Sequence, residues 1–400
     1  MTLAEAASTS SEDQQVLDLV DQLFREADPK DVNGFLGHQY DMGLAWVHFP
    51  KGFGGLGVSP RLQRVINNEI ARRKGPFTTQ SAVIGLGMGA PTVVTHGSEE
   101  QKTRYLRPLF TGEEIWCQMF SEPGAGSDVA GLSTRAERDG DEWIVNGQKV
   151  WTSVAHVSRW GMLLARTDPE ATKHAGLTYF VIDMHQPGVE VRPLRQMTGQ
   201  AEFNEVYFTN ARVPDRERLG EVGEGWRVAL TTLMNERVAI GGVQPQRGQG
   251  SIKYATDAWK AHAREGAVGR AEKDELMKLW IEAEVLRLTN IRAAQLRQTG
   301  TPGPEGSIGK LHSAELNKKL LSFVVNLLGA DGMLYGDYKN IGHYGDGYAD
   351  PRAYFLRVRA NSIEGGTSEV MRNILGERSL GLPGDVRVDK DVPWSRVPRN

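Results

Sequence analysis

The stretch EWIVNGQKVWTS, residues 142–153, is where the sequence changes its period. Before it, apolar residues recur at helical spacing; within it, β-forming residues stand on both sides of Asn146-Gly147, the preferred pair for a two-residue hairpin turn. Two strands joined at Asn146-Gly147 are therefore expected. GMLLART (161–167), LTYFVIDM (177–184), GVEVRPL (188–194) and FNEVYFTNARVP (203–214) follow with Gly, Pro and Asp between them, the pattern of a compact antiparallel sheet or barrel.

Outward from this block the helical period holds on both sides. SEDQQVLDLVDQLFREAD (11–28) sets Val16, Val20, Leu23, Phe24 and Ala27 on one stripe, with Ser11 and Gln14 at capping-box spacing. RLQRVINNEIARR (61–73) and EEQKTRYLRPLF (99–110) are further helices, set apart by the glycine-rich KGFGGLGVSP (51–60). On the other side, WRVALTTLMNERVAI (226–240), DELMKLWIEAEVLRLTNIRAAQLRQ (274–298) and KLHSAELNKKLLSFVVNLLG (310–329) are each long enough for a bundle helix. GTPGPEGS (300–307) reads as a turn or short loop, and the proline-rich tail after residue 380 as non-helical. The expected fold class is α+β multi-domain: an N-terminal helical domain (1–112), a central antiparallel β-barrel or sandwich (113–215) and a C-terminal helical bundle with an extended tail (216–400).

Lys plus Arg total 47 against 50 Asp plus Glu, a formal charge of −3, which gives no general electrostatic reason to bind nucleic acid or an anionic membrane. Cys117 is the single cysteine, so no intrachain disulfide or multi-cysteine metal site is available and no metal is expected. No basic-then-apolar leader opens the sequence and no run of about 18 apolar residues crosses it, so a soluble cytoplasmic protein is expected.

VIGLGMGA (83–90) matches a loose dinucleotide-binding glycine pattern, but its helical surroundings and Pro91 argue for glycines that let helices pack closely. MFSEPGAGSDVAG (119–131) carries more. Its Gly124, Ala125, Gly126 and Ser127 let a ligand approach the backbone, and the hydroxyls of Ser121 and Ser127 suit carbonyl or phosphate oxygens. An ordinary Pro-Gly turn with a solvated Asp128 is the bland alternative. Some twenty residues on, Trp151 is placed to stack on a planar ring and Ser153 to bond its edge, unless Trp151 is simply core.

Together SEPGAGSD (121–128), NGQKVWTS (146–153), GTSEVMRN (366–373) and ILGERSLGLP (374–383) resemble, in order and spacing, the signatures of the FAD-dependent acyl-CoA dehydrogenase family. The resemblance spans nearly the whole chain. It implies FAD held between the units and a subunit neighbour, in a homotetramer or alternatively a heterotetramer. It also implies an acyl-CoA substrate and an electron-transfer flavoprotein as acceptor. By position, Gln118, Phe120, Ser121 and Gly126 resemble the family's contacts to the flavin ring, Trp151 and Ser153 its stacking and hydrogen-bonding pair, and Ser127 a phosphate or thioester contact. Thr367 and Glu369 match positions near the diphosphate and adenosine half, and Asn326 and Gly329 the loop offered to a neighbour's FAD. Lys273, or Arg270 in a shifted register, stands where an Arg is usual.

Family members commonly place the catalytic base directly before the Gly-Thr of a Tyr-Glu-Gly-Thr segment. Here that residue is Gly365, and Glu364 stands one residue out of register, which turns a side chain by roughly 100° in a helix or to the opposite face of a strand. A minority of the family, which this chain resembles in its Glu-Arg pair, uses a Glu on the first helix of the C-terminal domain. Glu236 is that candidate. Trp226, Ala229, Leu233, Glu236 and Ile240 step by three and four, so Glu236 interrupts an apolar stripe, an environment that makes a carboxylate a better base near neutrality. Its alternative is a structural carboxylate paired to Arg237.

The expected chemistry is oxidation of an acyl-CoA to a trans-2-enoyl-CoA. Glu236 would take the α-proton, the Gly365 N–H would polarise the thioester oxygen, and Ser127, Leu233 and Arg237 would line the substrate. The rivals are a flavin monooxygenase or nitroalkane oxidase on the same fold, and a non-catalytic or half-site partner subunit of a heteromeric dehydrogenase. The acyl chain is left open among fatty, branched, aromatic and steroid-side-chain thioesters.

Overall fold

The computed structural model describes residues 11–78, 82–241, 245–264, 266, 269–299, 305–334, 350–387 and 389–398. Five helices come first: α1 (Ser11–Glu26), α2 (Val32–Asp41), α3 (Leu62–Arg72), α4 (Ala90–His96) and α5 (Glu99–Thr111). The stripe on α1 buries Val16, Val20 and Leu23 in a core shared with Leu62, Ile66 and Ile70 of α3. Ahead of α5, the Ser98 hydroxyl accepts from the Gln101 N–H at 3.2 Å while the Gln101 side chain accepts from the Ser98 N–H at 2.8 Å, a complete capping box. VIGLGMGA is helical: Gly85–Gly89 form a π turn that runs into α4, with Pro91 in the first turn of α4, where its missing N–H costs little. A Cβ on Gly85 would stand 3.2 Å from Leu109, and one on Gly89 3.5 Å from Trp116, so these glycines serve close packing.

Eight strands follow: β1 (Trp116–Met119), β2 (Arg135–Asp139), β3 (Glu142–Ser153), β4 (Trp160–Arg166), β5 (Leu177–Asp183), β6 (Val189–Pro193), β7 (Phe203–Pro214) and β8 (Arg218–Leu219). They form one sheet in the order β6-β7-β3-β2-β4-β5-β8, with β1 beside β4. The sheet is mixed rather than all antiparallel. β1 runs parallel to β4, from Trp116 opposite Trp160 to Met119 opposite Leu163, and the intervening residues supply the long crossover that a parallel pair requires.

EWIVNGQKVWTS is one 12-residue strand, which corrects the expected hairpin at Asn146-Gly147. The hairpin turn lies earlier, at Gly140 (φ 66°), between β2 and β3. Asn146-Gly147 instead marks a bulge against β7, with a register shift between Val145 and Gly147. The Asn146 side chain bonds Asn210, accepting from its N–H at 2.9 Å. A Cβ on Gly147 (φ 152°) would lie 2.5 Å from the Thr134 hydroxyl oxygen. Turns and bulges both ask for a residue without a side chain; the unbroken partner strand β7 decides between them.

The C-terminal helices are α6 (Gly225–Gly241), α7 (Ser251–Arg264), α8 (Arg270–Thr299), α9 (Glu305–Leu327), α10 (Pro351–Arg357) and α11 (Ser368–Ser379). Of GTPGPEGS, residues 300–304 lie outside the described residues, and Glu305 already belongs to α9. Ile252, Leu276, Leu279, Leu316, Leu320, Phe323 and Val358 build the bundle core, whereas Val228 and Ala229 of α6 join the core containing Tyr105, Trp116 and Tyr179. α6 is thus the helix that joins all three layers. The tail folds back over the sheet: Trp394 donates to the Gly131 carbonyl at 3.3 Å and lies against the Arg166 guanidinium, while Lys173 reaches Asp389 at 2.8 Å and Asp128 at 2.6 Å. Among the described residues no helix is long and apolar enough to cross a membrane.

Candidate active site

The loop after β1 is held by a buried ion pair. Glu122 accepts from the Ser133 N–H at 2.6 Å, the Thr134 N–H at 2.9 Å and Lys149 Nζ at 2.9 Å. Lys149, with 0% of its surface exposed, also donates to the Phe120 carbonyl at 3.0 Å. Burial pushes the Glu122 carboxyl up, but the Lys149 ammonium and the N–H donors outweigh it and hold the group below the usual carboxylate range. Sequence reading missed this pair, although each half lies inside a quoted motif. Its effect is to fix residues 120–127 against β3, reinforced by the Val150 N–H on the Ser121 carbonyl at 3.0 Å. Within the loop Phe120 is buried, Ser121 half-buried, and Gly126 and Ser127 exposed; a Cβ on Gly124 or Gly126 would meet nothing within 4 Å. Gln118, on β1, is half-buried.

Trp151 is not core. Its indole is 56% exposed, and its backbone is left-handed (φ 61°), a conformation that costs a non-glycine residue about 1–3 kcal/mol. The neighbours that enforce it are Lys149 on one side and, on the other, Val154 (φ 54°), whose N–H bonds the Glu202 carbonyl at 2.8 Å. The Thr152 hydroxyl is buried without a partner among the described residues, and Ser153 is half-buried. An exposed indole held in a strained backbone, hydroxyls at Ser121 and Ser153, and open space over Gly124 and Gly126 fit the planar, polar-edged flavin that the motifs imply.

α6 is anchored to both neighbouring layers. The Thr232 hydroxyl lies 2.9 Å from that of Thr92 on α4 and 3.0 Å from that of Tyr179 on β5, and His96 Nε2 lies 2.8 Å from the Thr231 hydroxyl. Tyr179 packs edge-on against Phe120, which ties the loop to the helix. Glu236, one turn beyond Thr232, is half-buried, as is Leu233. Arg237 belongs to α6, and its side chain lies outside the described residues.

The segment NSIEGGTSEVMRN closes the opposite side. Glu364 receives a two-pronged bond from Arg357 at 2.8 and 3.0 Å and a third from the Asn361 amide at 2.8 Å. Arg357 stands 3.6 Å from Glu202 and against the ring of Phe203, which in turn meets Trp151 edge-on. Glu364 is thereby a structural tie between the bundle and β7. Gly365 (φ 62°) and Gly366 (φ 92°) follow in left-handed conformation, and Lys310 of α9 donates to the Gly366 carbonyl. The Thr367 hydroxyl caps α11 by accepting from the Val370 N–H at 3.2 Å. Glu369 is exposed beside Arg372. Asn326 is exposed at the far end of α9, about 24 Å along the helix from Lys310 at 1.5 Å per residue, and Gly329 is exposed just beyond it. Arg270 and Lys273 are exposed at the start of α8. A cavity of about 440 Å³ between residues 245–252, α8 and α9 is lined by Trp280, Ala283, Leu316, Leu320, Lys310 and Glu364.

Three family models match the chain: acyl-CoA dehydrogenase N-terminal domain over residues 11–113, middle domain over 117–211 and C-terminal domain over 223–380. Acyl-CoA dehydrogenase FadE34 of Mycobacterium tuberculosis is 40% identical over 86% of this chain, which spans 45% of that protein's length. Acyl-CoA dehydrogenase IpdE1 of the same organism is 36% identical over 86% of both chains. Among solved structures, the Tcur3481-Tcur3483 steroid ACAD superposes with a TM-score of 0.73 at 26% identity, covering 96% of this chain and all (100%) of the other.

Proposed function

This chain belongs to the acyl-CoA dehydrogenase family, and on that premise we propose that it oxidises a bulky acyl-CoA thioester with Glu236 as the base. The protein is an oxidoreductase, and members of its family bind FAD. The observation that carries the assignment is the pairing of a vacated position with a committed neighbour. The usual base position is Gly365, and the adjacent carboxylate, Glu364, is held by Arg357 and Asn361; Glu236 stands half-buried on the anchored helix α6.

Glu236 takes the proton α to the thioester carbonyl and holds it as the carbon–carbon double bond forms, giving a trans-2-enoyl-CoA. The Gly365 N–H stabilises the charge that develops on the thioester oxygen. The oxidant that receives the β-hydrogen as hydride is what FAD would supply when bound. Trp151 and Ser153 would hold the ring's face and edge, with Gln118, Phe120, Ser121, Gly126 and Ser127 on the loop side. Thr367 and Glu369 would face the diphosphate and adenosine half, and Asn326 and Gly329 a neighbour's FAD. Leu233 would complete the substrate wall, and an electron-transfer flavoprotein would reoxidise the enzyme.

One observation favours a bulky, polycyclic acyl group: the likeness to a steroid ACAD at 26% identity. Anaerobic bleaching of the bound flavin by a thioester panel tests this. Bleaching is expected with steroid-side-chain or branched aromatic CoA esters, and bleaching by straight-chain esters alone would overturn it.

A half-site heteromer is the second reading of the assembly, favoured by the paired chains in the name of that structural neighbour and by the double length of FadE34. Flavin content per purified chain separates it from a homotetramer: close to one FAD per chain for the homotetramer, half or none for a chain that needs its partner.

Trp151→Gly removes the indole and, at the same time, the cost of a left-handed backbone. FAD retention is expected to weaken about tenfold, the upper range of aromatic stacking, while the apo-protein melts no lower than wild type. Calorimetry on apo and flavin-loaded samples reads both effects; a lower apo melting temperature would mean that the indole is structural.

A further inference from the structure

Lys310 is buried, at 4% exposure, and its ammonium donates to the carbonyl of Gly366, 56 residues further along the chain. Four carboxylates act on it from the elements packed around it: Glu236 from α6, Glu315 from its own helix, Glu364 from the segment before the glycine turn and Glu369 from α11. Glu364 is engaged by Arg357 and Asn361, Glu315 by Lys318 at 2.9 Å and the Ser368 hydroxyl at 3.0 Å, and Glu369 is exposed beside Arg372. Glu236 is the member of the set on the proton-abstracting helix.

Glycine populates positive and negative φ about equally, so two consecutive glycines do not determine their own turn. Gly365 and Gly366 are both left-handed here, and the groups that hold them come from outside: the clamp on Glu364 before them, the helix cap of Thr367 after them, and Lys310 on the Gly366 carbonyl. Of these anchors, Lys310 alone grips the glycine pair itself among the bonds described.

We propose that Lys310 is a positioning residue for proton abstraction, pinning the Gly366 carbonyl so that the Gly365 N–H stays aimed at the thioester oxygen. The proposal rests on the roles given above to Glu236 and Gly365. Burial pushes the Lys310 ammonium below its usual range and the surrounding carboxylates oppose that shift, so the cation sits where removing it is felt by its neighbours.

The test compares flavin-loaded wild type with Lys310→Met and Lys310→Arg. In Lys310→Met the bleaching rate falls about 10- to 100-fold with little change in substrate affinity. Lys310→Arg keeps the charge but moves the donor in a buried slot, so its effect is expected between those of wild type and Lys310→Met. A second readout needs no turnover: the infrared carbonyl stretch of a bound, carbonyl-¹³C-labelled 2-enoyl-CoA. Its shift from the solution value is expected to shrink in Lys310→Met.

If the carbonyl band of Lys310→Met coincides with wild type, the proposal is overturned, whatever the rate, because a loss of rate alone is what a purely structural lysine gives. If Lys310→Met does not fold or loses FAD, Lys310→Arg decides: a smaller carbonyl shift supports the role, and a wild-type band overturns it. The assignment of Glu236 fails separately, through wild-type bleaching by Glu236→Gln.

Discussion

Glu236→Gln is expected to retain its FAD and to lose bleaching by acyl-CoA by about a thousandfold, within the range that a positioned general base supplies. Gln keeps the shape and hydrogen-bonding capacity of the side chain but cannot take a proton, so the loss reports the base rather than the fold. The variant should still bind the thioester, because Leu233 and the α6 anchors at Thr231 and Thr232 are untouched. Glu364→Gln is the companion measurement. Its carboxylate is engaged by three donors from Arg357 and Asn361, and an amide preserves part of that network, so bleaching should stay within about tenfold of wild type at some loss of thermal stability. The reverse pattern, with Glu236→Gln active and Glu364→Gln inactive, would move the base to Glu364 and require the Arg357 clamp to open in the substrate complex.

Much of this arrangement is legible in the residues, for reasons that separate local from long-range information. Helix α1 announces itself because its stripe of Val16, Val20 and Leu23 is buried at a period that depends on nothing outside the helix, whereas α8 is legible by its length, Met277, Ile281, Val285 and Leu288 being exposed. Trp151 was legible as a ligand-facing residue only through its motif; what marks it physically, the left-handed backbone and the exposed indole, appears once β3 and its neighbours are built. Asn146-Gly147 misled for the same reason. The pair states that backbone without a side chain is needed, and only the 12-residue partner β7 shows that the need arises at a bulge. The return of the tail, with Trp394 against Arg166 and Asp389 on Lys173, has no local signature: those contacts join residues more than 200 positions apart.

Lys149, to which the motif reading assigns no role, carries structural weight. It lies in NGQKVWTS between a bulge and Trp151, and its partner Glu122 lies in SEPGAGSD, 27 residues earlier. Lys149→Met is expected to destabilise the protein by about 3–5 kcal/mol, because it leaves Glu122 as an uncompensated charge in a buried site. Chemical denaturation of the apo-protein measures this, and FAD retention should fall with it, since the loop carrying Ser121 and Ser127 loses its tie to β3. Adding Glu122→Gln to Lys149→Met should recover a large part of the loss: the isolated charge is gone, and the remaining amide still meets the Ser133 and Thr134 N–H groups. The pH dependence follows from the sign of the shift. The Glu122 carboxyl titrates lower folded than unfolded, so its contribution is fully present above the ordinary carboxylate range and is lost as the pH falls below it. The stability difference between wild type and the double variant should therefore narrow on acidification below about pH 4.5, the ordinary glutamate value, and hold steady from there to neutrality. A single variant as stable as wild type at pH 7 would show that water reaches this pair and that the loop is held by its backbone bonds instead.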